Sequence, residues 1–336
     1  MKISIVIPCR NEVNYIKRCV ESIAKVSLSE NELEVFVVDG MSDDGTRLVL
    51  AGLIKKYEWL QCIDNPIKVT PVSLNLGIKN STGELIMILG AHSELQSNFL
   101  SEVVPLFSMD DNMGCVGALL KNISEDDITG SIAAAMSSSF GMGNAHFRTG
   151  AKDGFVDTVA FGVYKKEVFE KAGLFDEELV RNQDDEFNYR VLKAGYKIYL
   201  TSKTTITYYV RSSYSKLFKQ FFQYGYWKVY VNKKHKNITT LRQVVPFLFV
   251  GYLVLGFALH IFFNWMKIPF ISGVFLYLMA ALFFAFRISA TNAAGIFYSF
   301  LIVHFAYGIG YWKGVIDFLL LRKKPMNSKT GNQLTR

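Results

Sequence analysis

The chain has 336 residues, 50% of them hydrophobic, 14% aromatic and 20% charged, with a net charge of +8. This excludes a disordered or collagen-like chain and leaves room for about two domains with full cores. Four cysteines (Cys9, Cys19, Cys62, Cys115) without a CxxC spacing exclude a disulfide scaffold or a Cys-rich zinc site and suit a reducing compartment.

The apolar run after Met1-Lys2 ends at Pro8, too short for a signal-peptide core. Ile3–Ile7 reads as a buried strand, and Glu12–Lys25 as a helix with Val13, Ile16, Val20 and Ile23 at helical spacing. Val35–Val38 is a second strand, closed by Asp39-Gly40, and Gly45–Tyr57 a second helix. Thr70–Asn80 is a third helix, with Thr70 as N-cap and Pro71 as first residue. Leu85–Leu89 is a third strand, ending at Gly90. Such alternation predicts an α/β fold, a mostly parallel sheet with helices on both faces and a ligand beyond the carboxyl ends of its strands. Those ends are Pro8–Glu12, Asp39–Thr46 and Gly90–Glu94.

No GxGxxG follows the first strand and no GxxxxGK[ST] occurs, which argues against an ordinary dinucleotide fold or P-loop. The strand ends instead hold Glu12, Asp39, Asp43, Asp44 and Glu94, with His92 among them. Carboxylates without a glycine cradle suggest a nucleotide held by base and ribose, its phosphates offset by a divalent metal. Asp43 and Asp44 also suit the capping of the helix that follows.

Charge falls in blocks: −8 over residues 1–200, +9 over 201–243 and +7 over 244–336, where Asp317 is the one acid after Glu186. The basic block abuts an apolar tail, which points to a membrane surface and away from nucleic acid. Val244–Trp265 and Ile268–Phe286 carry no charge and are each long enough to cross a bilayer. Ile296–Leu321, with His304, Lys313 and Asp317, is a weaker span, and its Gly308, Gly310 and Gly314 offer a face for close packing. Basic residues flank the tail on both sides, so two crossings with a third segment in the interface satisfy the positive-inside rule. The division expected is a cytoplasmic catalytic domain over 1–205, a basic amphipathic interfacial segment over 206–243, a membrane domain over 244–321 and a basic cytoplasmic tail over 322–336. The chain is then a multi-pass cell-membrane protein.

Six strings occur in order: IVIPCRNE at 5–12, VVDGMSDDGT at 37–46, SLNLGIKNSTGE at 73–84, LGAHSEL at 89–95, VDTVAFGVYKKEVFEKAGLFDEEL at 156–179 and RNQDDEFNYRVLKAGYKI at 181–198. On these the chain resembles the inverting family 2 nucleotide-sugar glycosyltransferases, which include cellulose, chitin and hyaluronan synthases. Within that family it is similar to the succinoglycan-type exopolysaccharide glycosyltransferases with a membrane tail. The resemblance covers about residues 1–235. It implies a glycosyltransferase A-type sheet domain in which Pro8 and Glu12 border the base pocket, Asp39 hydrogen-bonds the base, and Asn75 and Gly77 line the pocket from the helix. The family's metal motif aligns with Gly90-Ala91-His92. His92 stands at the metal-ligand position for Mn or Mg, and Gly90 replaces an acid that usually meets ribose or metal.

The family's Glu-Asp pair aligns with Gln183 and Asp184, which makes Asp184 the catalytic base. Asp185 is expected to turn away, and Glu186 is left open. Helix-dipole compensation is the competing reading of a run of acids at a helix start, and it suits Asp185 better than Asp184. Further on, Gln220-x-x-Gln223-Tyr224 replaces the Gln-x-x-Arg-Trp of processive members, which implies one sugar per visit. Gln220 and Arg211 are candidates for the acceptor or diphosphate, on a segment that also reads as an interfacial helix. The resemblance thus implies transfer of a sugar, most plausibly from a UDP-sugar, to a lipid-linked saccharide in exopolysaccharide or capsule synthesis. A catalytically weakened homologue serving as membrane scaffold and a nucleotidyltransferase are the competing classes. The second lacks its glycine-rich phosphate loop here. The small-residue stretch Ser124–Gly150 suits either a mobile acceptor lid or a tightly packed helix.

Overall fold

The computed structural model describes residues 1–26, 33–150 and 152–325. The basic tail beyond residue 325 lies outside them. Strands β1 (Ile3–Cys9), β2 (Leu33–Asp39), β3 (Leu60–Asp64) and β4 (Leu85–Ile88) pair in parallel in the order β3-β2-β1-β4. Register sets Cys9 beside Asp39, so β1 and β2 end together at one rim. The sheet then turns mixed. Strand β8 (Val163–Lys165) lies antiparallel between β4 and β6 (Met113–Ile123), and β9 (Lys197–Tyr209) runs parallel to β6. Strands β5 (Ser93–Leu95) and β7 (Gly154–Phe155) pair antiparallel to β9.

Alternation along β1 explains the layers. Ile3, Ile5, Ile7 and Cys9 share one core with Ile16, Cys19 and Val20 of helix α1 (Ile16–Ile23) and Leu50 and Leu53 of α2 (Thr46–Lys56). Val6 faces the other way, into a core with Leu74 and Ile78 of α3 (Thr70–Asn80). Helix α1 begins later than its apolar pattern suggests. The Glu12 carbonyl is taken up in a tight turn by the amides of Tyr15 and Ile16, both at 2.9 Å. Thr70 is the first residue of α3 and not its cap, which falls at Val69.

The Ser124–Gly150 stretch takes the packed form of its two readings. Asp126 and Thr129 close a capping box on helix α4 (Asp127–Met136), whose Ile132, Ala135 and Met136 are buried. Helix α5 (Gln183–Lys193) carries the acidic cluster and packs Phe187 and Val191 into the same core as Val6.

Helix α6 (Tyr214–His235) lies along α9 (Ala293–Gly314), with α7 (Val245–Phe262) and α8 (Lys267–Ile288) beyond. A Cβ on Gly225 would sit 2.0 Å from the Tyr307 carbonyl oxygen, and one on Gly310 2.0 Å from that of Phe222, so α6 and α9 touch backbone to backbone. Gly314 joins this contact, whereas Gly308 packs against Pro246 of α7. Three helical stretches, Leu241–Phe262, Asn264–Ile288 and Ala293–Leu320, are long and apolar enough to cross a membrane. The first two are 17% and 11% buried within the protein and the third 56%, so the third is wrapped by its neighbours.

Candidate active site

The rim of the parallel sheet borders a cavity of about 210 Å³. Pro8, Arg10 and Glu12 line it from the end of β1, Gly40 from β2, Thr70 from the start of α3, and Gly90 and His92 from β4. Arg148, Phe161, Arg181, Asp184, Tyr208, Arg211 and Tyr224 line it opposite. Six expected site residues therefore meet at one place, Pro8, Glu12, Gly90, His92, Asp184 and Arg211, with Gly40 standing in for its neighbour Asp39.

The other expected residues lie outside this wall. Asp39 is fully buried, accepting hydrogen bonds from Ser42 Oγ at 2.5 Å, Ser42 N at 3.1 Å and Arg47 Nη1 at 3.0 Å. It fixes the turn on which Gly40 is displayed. Asn75 donates to the Phe175 carbonyl at 2.9 Å and Glu177 at 2.8 Å and accepts the Phe175 amide, clamping α3 to a distant loop. Gly77 is a packing residue: its Cβ would lie 2.3 Å from Val6 Cγ1, so α3 rests directly on β1. Gln220 is buried and donates to the Tyr224 hydroxyl at 2.9 Å, and Gln223 accepts from Arg181 at 3.0 Å. The Gln-x-x-Gln-Tyr motif thus positions two cavity residues. Asp43 pairs with Asn11, and Asp44 accepts from Thr46 and Val13 just ahead of α2, whose N-cap is Gly45 and carries no side-chain cap.

The three acids at the start of α5 have separate surroundings. Asp185 pairs with the buried Lys228, and Glu186 takes a two-pronged contact from Arg190 at 2.7 and 2.8 Å and faces His235 at 2.9 Å. Among the described residues Asp184 alone of the three forms no ion pair, and it is exposed into the cavity. The surrounding protein desolvates its carboxyl and the Asp185 charge opposes ionisation, so its pKa is raised above the ordinary carboxylate value.

Gly90 has a distinct neighbour. A Cβ there would come 2.8 Å from the ring of Phe161, whose backbone is left-handed at φ 55°. Phe161 fills the space that an acidic side chain would need. His92 Nδ1 lies 3.3 Å from Glu12 Oε1. No group of three His, Cys, Asp or Glu that could hold a metal occurs among the described residues. His92 and Glu12 are the cavity-lining side chains that could contribute to holding a divalent cation in the way Mg or Mn is held on nucleotides, by one or two side chains together with phosphate oxygens.

Sequence reading missed the guanidiniums of Arg148 and Arg181, which join Arg211 in the cavity wall. Arg211 is buried, with its Nε and Nη1 donors lacking hydrogen-bond acceptors among the described residues. Burial and the neighbouring Arg211 charge lower the pKa of Arg181. Clustered cations sharing a polar cavity are suited to a polyanion. Arg181 opens the RNQDDE string, but nothing there distinguishes it from a surface arginine, and the meeting of Arg148 with Arg181 depends on tertiary structure.

A cavity at the carboxyl rim of an α/β sheet, with a carboxylate facing a cationic wall, stands where such sheets bind their ligands and suits an anionic one. The family model described as glycosyl transferase family 2 matches residues 4–173. Over 328 residues the chain is 30% identical to a dolichyl N-acetyl-alpha-D-glucosaminyl phosphate 3-beta-D-2,3-diacetamido-2,3-dideoxy-beta-D-glucuronosyltransferase of Methanococcus voltae, covering 94% of this chain and 97% of that protein. It is 28% identical to the succinoglycan biosynthesis protein ExoA of Rhizobium meliloti, over 94% of this chain and 95% of that one. Among solved structures, the mannosyltransferase PcManGT of Pyrobaculum calidifontis, in complex with GDP-Man and Mn2+, superposes with a TM-score of 0.59 at 16% identity, covering 94% and 87% of the two chains. S. aureus TarS 1–349 superposes at 0.52 and 16% identity, covering 93% and 91%. The chain belongs to glycosyl transferase family 2. It is an inverting, membrane-associated glycosyltransferase that uses a nucleotide-sugar donor.

Proposed function

We propose that the chain moves one sugar per visit from a nucleotide-sugar, with UDP-sugars as the first candidates, to a lipid-linked saccharide in exopolysaccharide or capsule assembly, with Asp184 as general base. The observation that carries this reading is the carboxyl of Asp184. It faces the cavity without an ion-pair partner and its pKa is raised, while Asp185 and Glu186 are engaged elsewhere. Asp184 takes the proton of the acceptor hydroxyl as that oxygen attacks the anomeric carbon. Attack from the face opposite the departing nucleoside diphosphate inverts the centre in one step, by the geometry of single-displacement sugar hydrolysis. Negative charge growing on the diphosphate is met by Arg211, held in place before reaction begins. Pro8, Gly40 and Glu12 border the nucleoside, with Asp39 shaping the turn beneath it. His92, with Glu12, would hold a divalent cation, Mn or Mg, which neutralises the diphosphate when bound.

The lipid-linked acceptor is supported by the membrane tail and by the dolichyl phosphate named in the M. voltae relative. We propose further that α7 and α8 cross the membrane while α9 stays in the interface, which puts both basic flanks on the cytoplasmic side with the catalytic domain. Asp317, at the end of the third stretch, holds Lys313 at 2.7 Å and Lys323 at 2.9 Å, a polar cluster suited to headgroups and not to hydrocarbon.

The test is release of nucleoside diphosphate by the detergent-purified chain, screened across nucleotide-sugars with Mn or Mg. Slow hydrolysis of one donor names the sugar without any need to guess the acceptor. Silence across all donors, with membrane lipid extract added, would favour a scaffold.

A further inference from the structure

A second cavity, of about 580 Å³, shares Arg148, Arg181 and Asp184 with the first. Its remaining wall differs in kind. Val245, Pro246 and Phe249 of α7, Tyr277 of α8, and Val303, His304 and Tyr307 of α9 line it, all from the apolar helices. Arg242, paired with Asp157 at 2.7 Å, adds a third guanidinium. The segment carrying Phe140 is pinned over this wall. His304 contacts the Phe140 carbonyl at 3.0 Å and the Tyr277 hydroxyl at 2.9 Å, and the Phe140 ring lies 4.9 Å from that of Phe300.

We propose that this cavity seats the phosphate and the first chain units of an isoprenoid-type lipid phosphate, with Arg148, Arg181 and Arg242 taking the phosphate and Phe249, Tyr277 and Val303 the chain. The proposal rests on the reading of the acceptor as lipid-linked, and gives that acceptor a place and a chemistry. Three arguments carry it. Guanidiniums match a phosphate in charge and shape, and Arg148 and Arg181 are oriented by neutral amides, Asn122 at 3.1 Å and Gln223 at 3.0 Å. The apolar wall is continuous with α7 and α8, whose other faces are apolar and largely unburied, so with these helices in a bilayer a chain would enter without crossing water. In a lipid phosphate bearing a single sugar, as named for the M. voltae relative, one ring separates the phosphate from the attacking hydroxyl, so the seat of such an acceptor adjoins the base. The two cavities share the Asp184 wall.

Binding tests this apart from turnover. Radiolabelled undecaprenyl phosphate is titrated against the full chain in nanodiscs, with undecaprenol and phosphatidylglycerol as competitors. Saturable binding that neither competitor displaces is expected, weakened at least tenfold by Val303→Trp, which fills the apolar part, and by Arg242→Gln. Val303→Leu keeps binding near wild type, so a folding defect in the Trp variant does not decide the result. Equal displacement by phosphatidylglycerol would reduce the cavity to a generic lipid cleft and overturn the proposal, as would binding that Arg242→Gln leaves unchanged. Donor hydrolysis is scored separately. Its absence with lipid binding intact removes the enzymatic reading and leaves the site; its presence with no lipid binding removes the site alone.

Discussion

Gly90 is where the chain departs from the metal motif that the family resemblance implies, and Phe161 supplies a physical reason. With the ring 2.8 Å from where a Cβ would stand, glycine is the residue that lets Phe161 close over the end of β4. Restoring an acid should therefore harm the enzyme. Gly90→Asp is expected to lower donor hydrolysis at least tenfold, and Gly90→Asp with Phe161→Ala to recover part of it. A gain from Gly90→Asp alone would mean that the site has decayed. Asp184 offers a stability test with a definite sign. Its folded pKa is raised, so the folded protein favours the protonated form, and the stabilisation relative to the ionised form is lost as pH rises through that folded value. Asparagine bears no such cost. Asp184→Asn should thus melt above wild type at pH 7, with the difference vanishing below the ordinary carboxylate pKa of about 3.9. Thermal unfolding in detergent across that range checks it, and a lower melting point at pH 7 would contradict the environment described. Arg148, Arg181 and Phe161 could not be assigned from sequence, because each gains its role from a contact distant along the chain.

Among the elements, those buried on both faces were readable. Strands β1, β2 and β4 are continuous apolar runs, and their ends located much of the cavity wall. Strand β3 escaped notice because Gln61 and Cys62 are exposed at the sheet edge, which breaks the run. The 13 residues of β9 escaped for a similar reason: the five polar residues 201–205 interrupt its apolar pattern, and its partner β6 lies far back in the chain. Helix α3 was readable in extent, yet Asn75 and Gly77 serve its docking and not the cavity. The glycines of the third apolar stretch are legible as a packing face; Gly310 and Gly314 meet α6, and Gly308 meets α7. That contact predicts a cost. Gly225→Val or Gly310→Val must push two backbones apart, so the penalty should reach or exceed the roughly 1–3 kcal/mol typical of overpacking. A clear fall in melting temperature, shared by both variants, is expected; an unchanged value would mean the two helices are not in backbone contact.

At the scale of the molecule, the sheet domain stands on α6 and α9, and α7 and α8, the latter also touching it through Phe140, present largely unburied apolar faces. If α7 and α8 alone cross the membrane, Lys324 and the exposed Ile67 share a side and Trp265 lies opposite. In a Cys62→Ser background, Trp265→Cys should react with an impermeant thiol reagent in intact cells, while Ile67→Cys and Lys324→Cys react only after lysis. Labelling of Lys324→Cys in intact cells would mean three crossings. The central claim is that Asp184 drives sugar transfer to a membrane-borne acceptor. Its most direct test follows label from the identified nucleotide-sugar into the organic phase of a membrane extract, for wild type and Asp184→Asn side by side. Loss of a general base costs roughly 10²–10⁴-fold in rate. Wild type is expected to transfer label into lipid, and Asp184→Asn to lose at least a hundredfold while still binding the donor. Transfer at an undiminished rate by Asp184→Asn, or label that stays wholly in the aqueous phase, would contradict the account.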